Sequence, residues 1–132
     1  MSNAALEASL LSAKYSMAKD KEAWLALYAD DAIICDPVGV SPLDPTGLGH
    51  RGKAAIEKFY DDTIAANDIV FHIERSYPAG DSVANVVSLD TKMGDKTMVV
   101  EFIAVYQVDD DGKIIAMKAY WDFQQVLDQL AG

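Results

Sequence analysis

Apolar and polar positions change their period part-way along the chain. Up to about residue 64 the hydrophobic residues recur at three- and four-residue spacings. From Ile69 onward they alternate. The first pattern predicts helices and the second strands. Leu6, Leu10, Ala13 and Met17, with Leu11 and Tyr15 beside them, predict a helix over residues 4–18 with a broad apolar face. Asp20 is a natural N-cap for a second helix reaching Tyr28, with Glu22 in its first turn and Trp24, Leu25, Leu27 and Tyr28 inward. Asp30-Asp31 reads as a turn and Ala32 to Asp36 as a short strand that Pro37 ends. Three prolines and three glycines between Pro37 and Gly49 mark a long loop. A third helix follows Gly52, with Ala55, Ile56, Phe59, Tyr60, Thr63 and Ile64 facing inward.

Four strands are then expected at residues 69–76, 82–91, 97–108 and 113–122. Met93-Gly94-Asp95-Lys96 and Asp109-Asp110-Asp111-Gly112 are the turns between the later ones. A short helical tail over residues 123–130 is placed to cover a sheet edge. This order predicts one α+β domain spanning residues 1–132, with three N-terminal helices on one face of a curved antiparallel sheet. In the third long strand, Met98, Val100, Phe102, Ala104, Tyr106 and Val108 form a continuously apolar inner face. The opposite face, Val99, Glu101, Ile103, Val105 and Gln107, is too apolar for full exposure and predicts a homodimer interface.

Composition narrows the functional classes. Hydrophobic residues make up 51% of the 132, enough for a packed core. The formal net charge of -10 and the lack of a basic patch disfavour nucleic-acid binding. No apolar run approaches the roughly 20 residues of a membrane-spanning helix, and the opening Met1-Ser2-Asn3-Ala4-Ala5 lacks a basic lead into an apolar run. Neither a membrane span nor a secretory leader is expected. The single cysteine, Cys35, allows no internal disulfide and is expected to be a buried, inert thiol, which suits a cytoplasmic location.

Asp36 is the residue with most chemical potential. It closes an apolar strand on the same face as Ile34 and opens the long loop. A carboxylate at the mouth of an apolar pocket has its pKa raised by desolvation and becomes a competent base near neutral pH. An aspartate that caps the loop through backbone N–H groups is the other reading of the same position. Tyr15, Tyr28, Tyr60, Tyr106 and Tyr120 combine core volume with a hydroxyl able to stabilise a developing oxyanion, or simply pack. Trp121 either lines a pocket or packs the core. His50 and His72 lie far apart without a metal-ligand pattern, and the glycines form no nucleotide-binding fingerprint. No metal or cofactor is expected.

The stretch Tyr28-Ala29-Asp30-Asp31-Ala32-Ile33-Ile34-Cys35-Asp36-Pro37-Val38-Gly39 resembles the ketosteroid isomerase branch of the NTF2-like, or SnoaL-like, family. Gly52-Lys53-Ala54-Ala55-Ile56-Glu57-Lys58-Phe59-Tyr60 and Gly112-Lys113-Ile114-Ile115-Ala116-Met117 reinforce the likeness. The resemblance implies a cone-shaped fold around an apolar cavity. It also implies steroid delta-isomerase-like proton transfer on an unsaturated ketone, with Asp36 as general base. It places Tyr28 in the cavity lining, Tyr60 behind an oxyanion-binding tyrosine, and Trp121 in the ligand-binding wall. Phe102 and Ala104 join them from the inner face of the third long strand. Two positions depart from the pattern. Ser12 stands where the family's oxyanion tyrosine is expected, and Tyr15, one turn on, is the candidate replacement. Ala104 stands where the family has a protonated aspartic acid. Non-catalytic binding of a steroid-like ligand therefore competes with isomerisation. A lyase, cyclase or hydrolase of the same fold and a structural protein-binding role are the further alternatives.

Overall fold

A computed structural model describes residues 3–93 and 95–131. Helix α1 (Ala4–Ala18) begins at Asn3, whose side chain accepts the Leu6 N–H at 3.0 Å, and ends at Lys19 in the left-handed conformation with φ 58°. Helix α2 (Lys21–Ala26) is capped by Asp20, which accepts the Ala23 N–H at 3.2 Å. Helix α3 (Lys53–Phe59) continues into a π-helical turn, Tyr60–Ile64. Six strands follow the order β2-β1-β6-β5-β4-β3 in one curved sheet. They are β1 (Tyr28–Cys35), β2 (His50–Arg51), β3 (Ile69–Ala79), β4 (Ser82–Met93), β5 (Lys96–Val108) and β6 (Ile114–Tyr120). Helix α4 (Gln124–Ala131) closes the chain. The turn expected around Gly94 is centred outside the described residues, although β4 and β5 pair up to Met93 and Lys96.

Several expectations need correction. The sheet is not wholly antiparallel, because β1 and β6 run parallel. They are far apart in sequence, so no tight turn forces an antiparallel pairing. Strand β1 starts at Tyr28, so α2 stops earlier than expected and Asp30-Asp31 lies within the strand. The register against β6 shifts between Tyr28 and Ile33, and this irregularity carries the acidic pair outward. Strand β3 runs three residues past Ser76 and includes Pro78. As an edge strand it has a side that needs no partner, which is where a proline is tolerated.

The packing face of α1 is also different. Its buried residues are Ala5, Ala8, Ser9, Ser12 and Ser16, while Leu10 and Met17 are 46% and 43% exposed. Small side chains let the helix backbone approach the sheet closely. The leucine stripe lies to the side, with Leu6 and Tyr15 only partly packed against the core. The inner face of β5 agrees with its alternation. Met98, Val100, Ala104 and Val108 are buried, and Val99 and Ile103 on the other face are exposed.

The upper half of β5 lacks a strand partner on the β6 side, because pairing with β6 begins at Ile103. Two glutamines of α4 take that place. Gln129 accepts the Val99 N–H at 2.8 Å and donates to the Val99 carbonyl at 2.6 Å. Gln125 makes the same pair of contacts with Glu101, each at 3.4 Å. The tail covers an edge, as its position in the sequence predicts.

Candidate active site

Strand β1 ends where the sheet curves around a cavity of about 260 Å³. Its alternation buries Ile34 and brings Asp36, two residues on, to the cavity wall. The cavity lies slightly below the roughly 300–1,000 Å³ usual for small-molecule sites. Its walls are mainly apolar, with Phe59, Phe71, Phe102, Met117 and Trp121 among them. Val126 and Phe123 form a wall at the α4 end, and Leu43 brings in the long loop.

Asp36 is held by one strong bond. Trp121 Nε1 donates to its Oδ1 at 2.6 Å. Burial raises the Asp36 pKa above the ordinary carboxylate value, against the opposing pull of the Trp121 N–H and the nearby His50. The loop is capped by another acid, the buried Asp44, which accepts the N–H groups of Gly47 and Gly49 at 3.2 and 2.8 Å and the Thr46 hydroxyl at 2.9 Å. Burial pushes the Asp44 pKa up, but these donors outweigh it and the net shift is downward.

A group of hydroxyls lies across from the acid. Ser12, Tyr28 and Tyr106 all line the cavity. Ser12 Oγ accepts Trp24 Nε1 at 3.2 Å. Burial pushes the Tyr106 phenol up to about 12; the nearby Ser12 hydroxyl opposes the rise and the Asp36 charge adds to it. Burial also drives Tyr28 well above its usual value, with Tyr106 and Asp36 contributing. The Tyr28 hydroxyl is buried without a hydrogen-bond partner. Both phenols therefore remain protonated donors at neutral pH, within the electrostatic reach of Asp36.

The structure gathers Asp36, Tyr28, Phe102, Ala104 and Trp121 around one cavity. Tyr15 stands apart from this group. It is half-buried on α1 and is not among the cavity-lining residues, because the face turned inward carries Ser12 and Ser16. Tyr60 is buried behind the wall, its ring 5.1 Å from that of Trp24, and it too is absent from the lining. His50 opens β2 and packs on Phe59 with ring centroids 5.1 Å apart, and it is not among the cavity-lining residues. His72 is exposed and lies 3.4 Å from Asp90. Cys35 is half-buried rather than fully buried, and burial raises its thiol pKa, which fits an unreactive side chain. Among the described residues no cluster of three metal-ligating side chains occurs.

The role of Ser12 as acceptor for the buried Trp24 N–H is not readable from the helix pattern, which favours the leucine stripe. Alternation on β5 already places Tyr106 inward. The sequence signal for Asn85 is a lone amide in the apolar run Val83-Ala84-Asn85-Val86-Val87.

An acid at the end of β1 facing an apolar hollow inside a curved sheet defines an NTF2-like cone. The chain belongs to the SnoaL-like domain family, whose model matches residues 14–117. It is 36% identical over 96 residues to the steroid delta-isomerase of Nocardioides simplex, covering 73% of this chain and 72% of that one. The crystal structure of RV0760c from Mycobacterium tuberculosis matches with a TM-score of 0.90 and 37% identity, over 95% of this chain and 96% of the other. The Δ5-3-ketosteroid isomerase of Mycobacterium sp. matches with a TM-score of 0.88 and 33% identity, over 94% and 97% of the two chains.

Proposed function

We propose that this protein is a cofactor-independent, steroid delta-isomerase-like enzyme acting on an enolisable unsaturated ketone. The observation that carries the proposal is the half-buried Asp36 carboxylate, set in the wall of an apolar cavity and held by Trp121. Similarity to two isomerases, from Nocardioides simplex and Mycobacterium sp., supports the reaction class. RV0760c, also similar, has been crystallised with estradiol-17β-hemisuccinate, which supports a flat, mainly apolar ligand.

In this reading the Asp36 carboxylate takes the proton from the carbon between the ketone and the double bond. The C–H electron pair moves into the conjugated system and negative charge collects on the carbonyl oxygen. Tyr106 and Tyr28 stabilise that oxygen by donating hydrogen bonds, in place of the family donors missing at Ser12 and Ala104. Asp36 then returns the proton two carbons along, and the double bond ends in conjugation with the ketone. Base catalysis of this kind contributes about 10²- to 10⁴-fold.

The test is the rise in enone absorbance with a β,γ-unsaturated ketosteroid. Asp36→Asn is expected to abolish it while preserving the fold, and unchanged turnover in that variant would refute the proposal. A second reading, binding without turnover, is favoured by the donors absent at Ser12 and Ala104. Tight steroid binding with no conversion of any enone would select it. We further propose a homodimer through the exposed apolar face that includes Val99 and Ile103. Sedimentation of a monomer alone at micromolar concentration would exclude that assembly. The single cysteine fits a cytoplasmic location, to be checked by cell fractionation.

A further inference from the structure

Asn85 lies in the middle of β4, directly opposite Ala104 on β5, and is fully buried. Its Nδ2 donates to Ser9 Oγ at 2.9 Å. Ser9 Oγ in turn donates to the Leu6 carbonyl at 2.8 Å. A hydroxyl has one hydrogen, so Ser9 can only accept from Asn85. This fixes which end of the amide faces Ser9. The other end, Oδ1, is a buried acceptor with no hydrogen-bond partner among the described residues.

A void of about 30 Å³ adjoins this amide. Ser9, Ser12, Ala104 and Tyr106 are in its wall, with Phe71 and Phe102. All of these except Ser9 also line the main cavity, so the two spaces share a wall. The volume is that of about one water molecule or one hydroxyl group. The small side chains at Ser12 and Ala104 help to leave this space.

We propose that this side pocket is a polar subsite for a hydroxyl group at one end of a ligand held in the main cavity. The ligand O–H donates to Asn85 Oδ1, and its oxygen faces the Ser12 hydroxyl. A ketone oxygen can only accept and leaves Asn85 unpaired. An ammonium group would find no carboxylate among the lining residues. A hydroxyl both donates and accepts, which is what this wall offers. Water has the same chemistry and is the competing occupant. The inference rests on the cavity being a ligand site, and does not depend on proton transfer at Asp36.

The experiment is calorimetric titration with estrone, which carries a single hydroxyl, and with the same molecule lacking that hydroxyl. The unaltered protein is expected to bind estrone about tenfold more tightly, as for one hydrogen bond to a buried acceptor. Asn85→Leu is expected to bring the two affinities within about twofold. The comparison in the unaltered protein does not rely on that variant folding. Equal affinities there would overturn the subsite and leave it to water. Discrimination that survives Asn85→Leu would also overturn it, since the hydroxyl would then be bound elsewhere. Failure of both molecules to bind would overturn the subsite together with the cavity as a steroid site. Loss of enone turnover in Asp36→Asn tests the isomerase proposal separately.

Discussion

Trp121→Phe tests how the acid is tuned. The substitution keeps an aromatic ring in the wall and removes the N–H that donates to Asp36 Oδ1 at 2.6 Å. A hydrogen bond to a charged group is worth about 1.5–3 kcal/mol. Nearly all of it favours the ionised carboxylate, since the bond to a neutral acid is much weaker. Burial already raises the Asp36 pKa, and the Trp121 N–H is the first force opposing that rise. Removing it moves the pKa further up and makes ionisation about 10- to 100-fold less favourable. The base works only when deprotonated. The acid limb of kcat/KM therefore shifts to higher pH, and on that limb the rate falls by the same factor. The assay is the pH dependence of kcat/KM for enone formation, with NMR titration of the Asp36 carboxyl in the ligand-free protein. A midpoint that stays in place or moves down would refute this account of the tuning.

Three further outcomes are expected. Asp36→Asn should melt higher than the unaltered protein at neutral pH, with the gap closing in acid. The reason is that a raised folded-state pKa gives stability that is present below the unfolded pKa and lost as pH rises through the folded one; thermal melts across pH check it. Tyr106→Phe should lower enone turnover about 10²- to 10³-fold with an unchanged far-ultraviolet spectrum, as for the loss of one oxyanion donor. Gly49→Ala should destabilise by about 2 kcal/mol or more in urea unfolding. Gly49 has φ +87°, and an added Cβ would stand 2.8 Å from Cys35 Sγ and 2.9 Å from Ile33 Cδ1.

Element order, except for the short β2 after the expected loop, and the inner face of β5 were legible because they depend on local periodicity. So was the position of Asp36, which follows from alternation with Ile34 and the stop at Pro37. What could not be read was decided by contacts distant in sequence. The inward face of α1 is chosen by how closely a helix can approach the sheet, which favours serine and alanine over leucine. That choice turns Ser12 rather than Tyr15 to the cavity. Similarly, the parallel pairing of β1 with β6 joins segments about eighty residues apart, and no local pattern encodes it. The partners of Asn85 are remote in the same way, Ser9 coming from α1 and Ala104 from β5.

The glutamines of α4 have a mechanical consequence. A side-chain amide has the donor and acceptor of a peptide unit, so Gln125 and Gln129 act as a short substitute strand laid along β5. Val126, between them in sequence, belongs to the wall of the hollow. One helix thus serves two purposes, shielding an open border and completing the wall of the hollow. Loosening those two amides would disturb the border and the wall together.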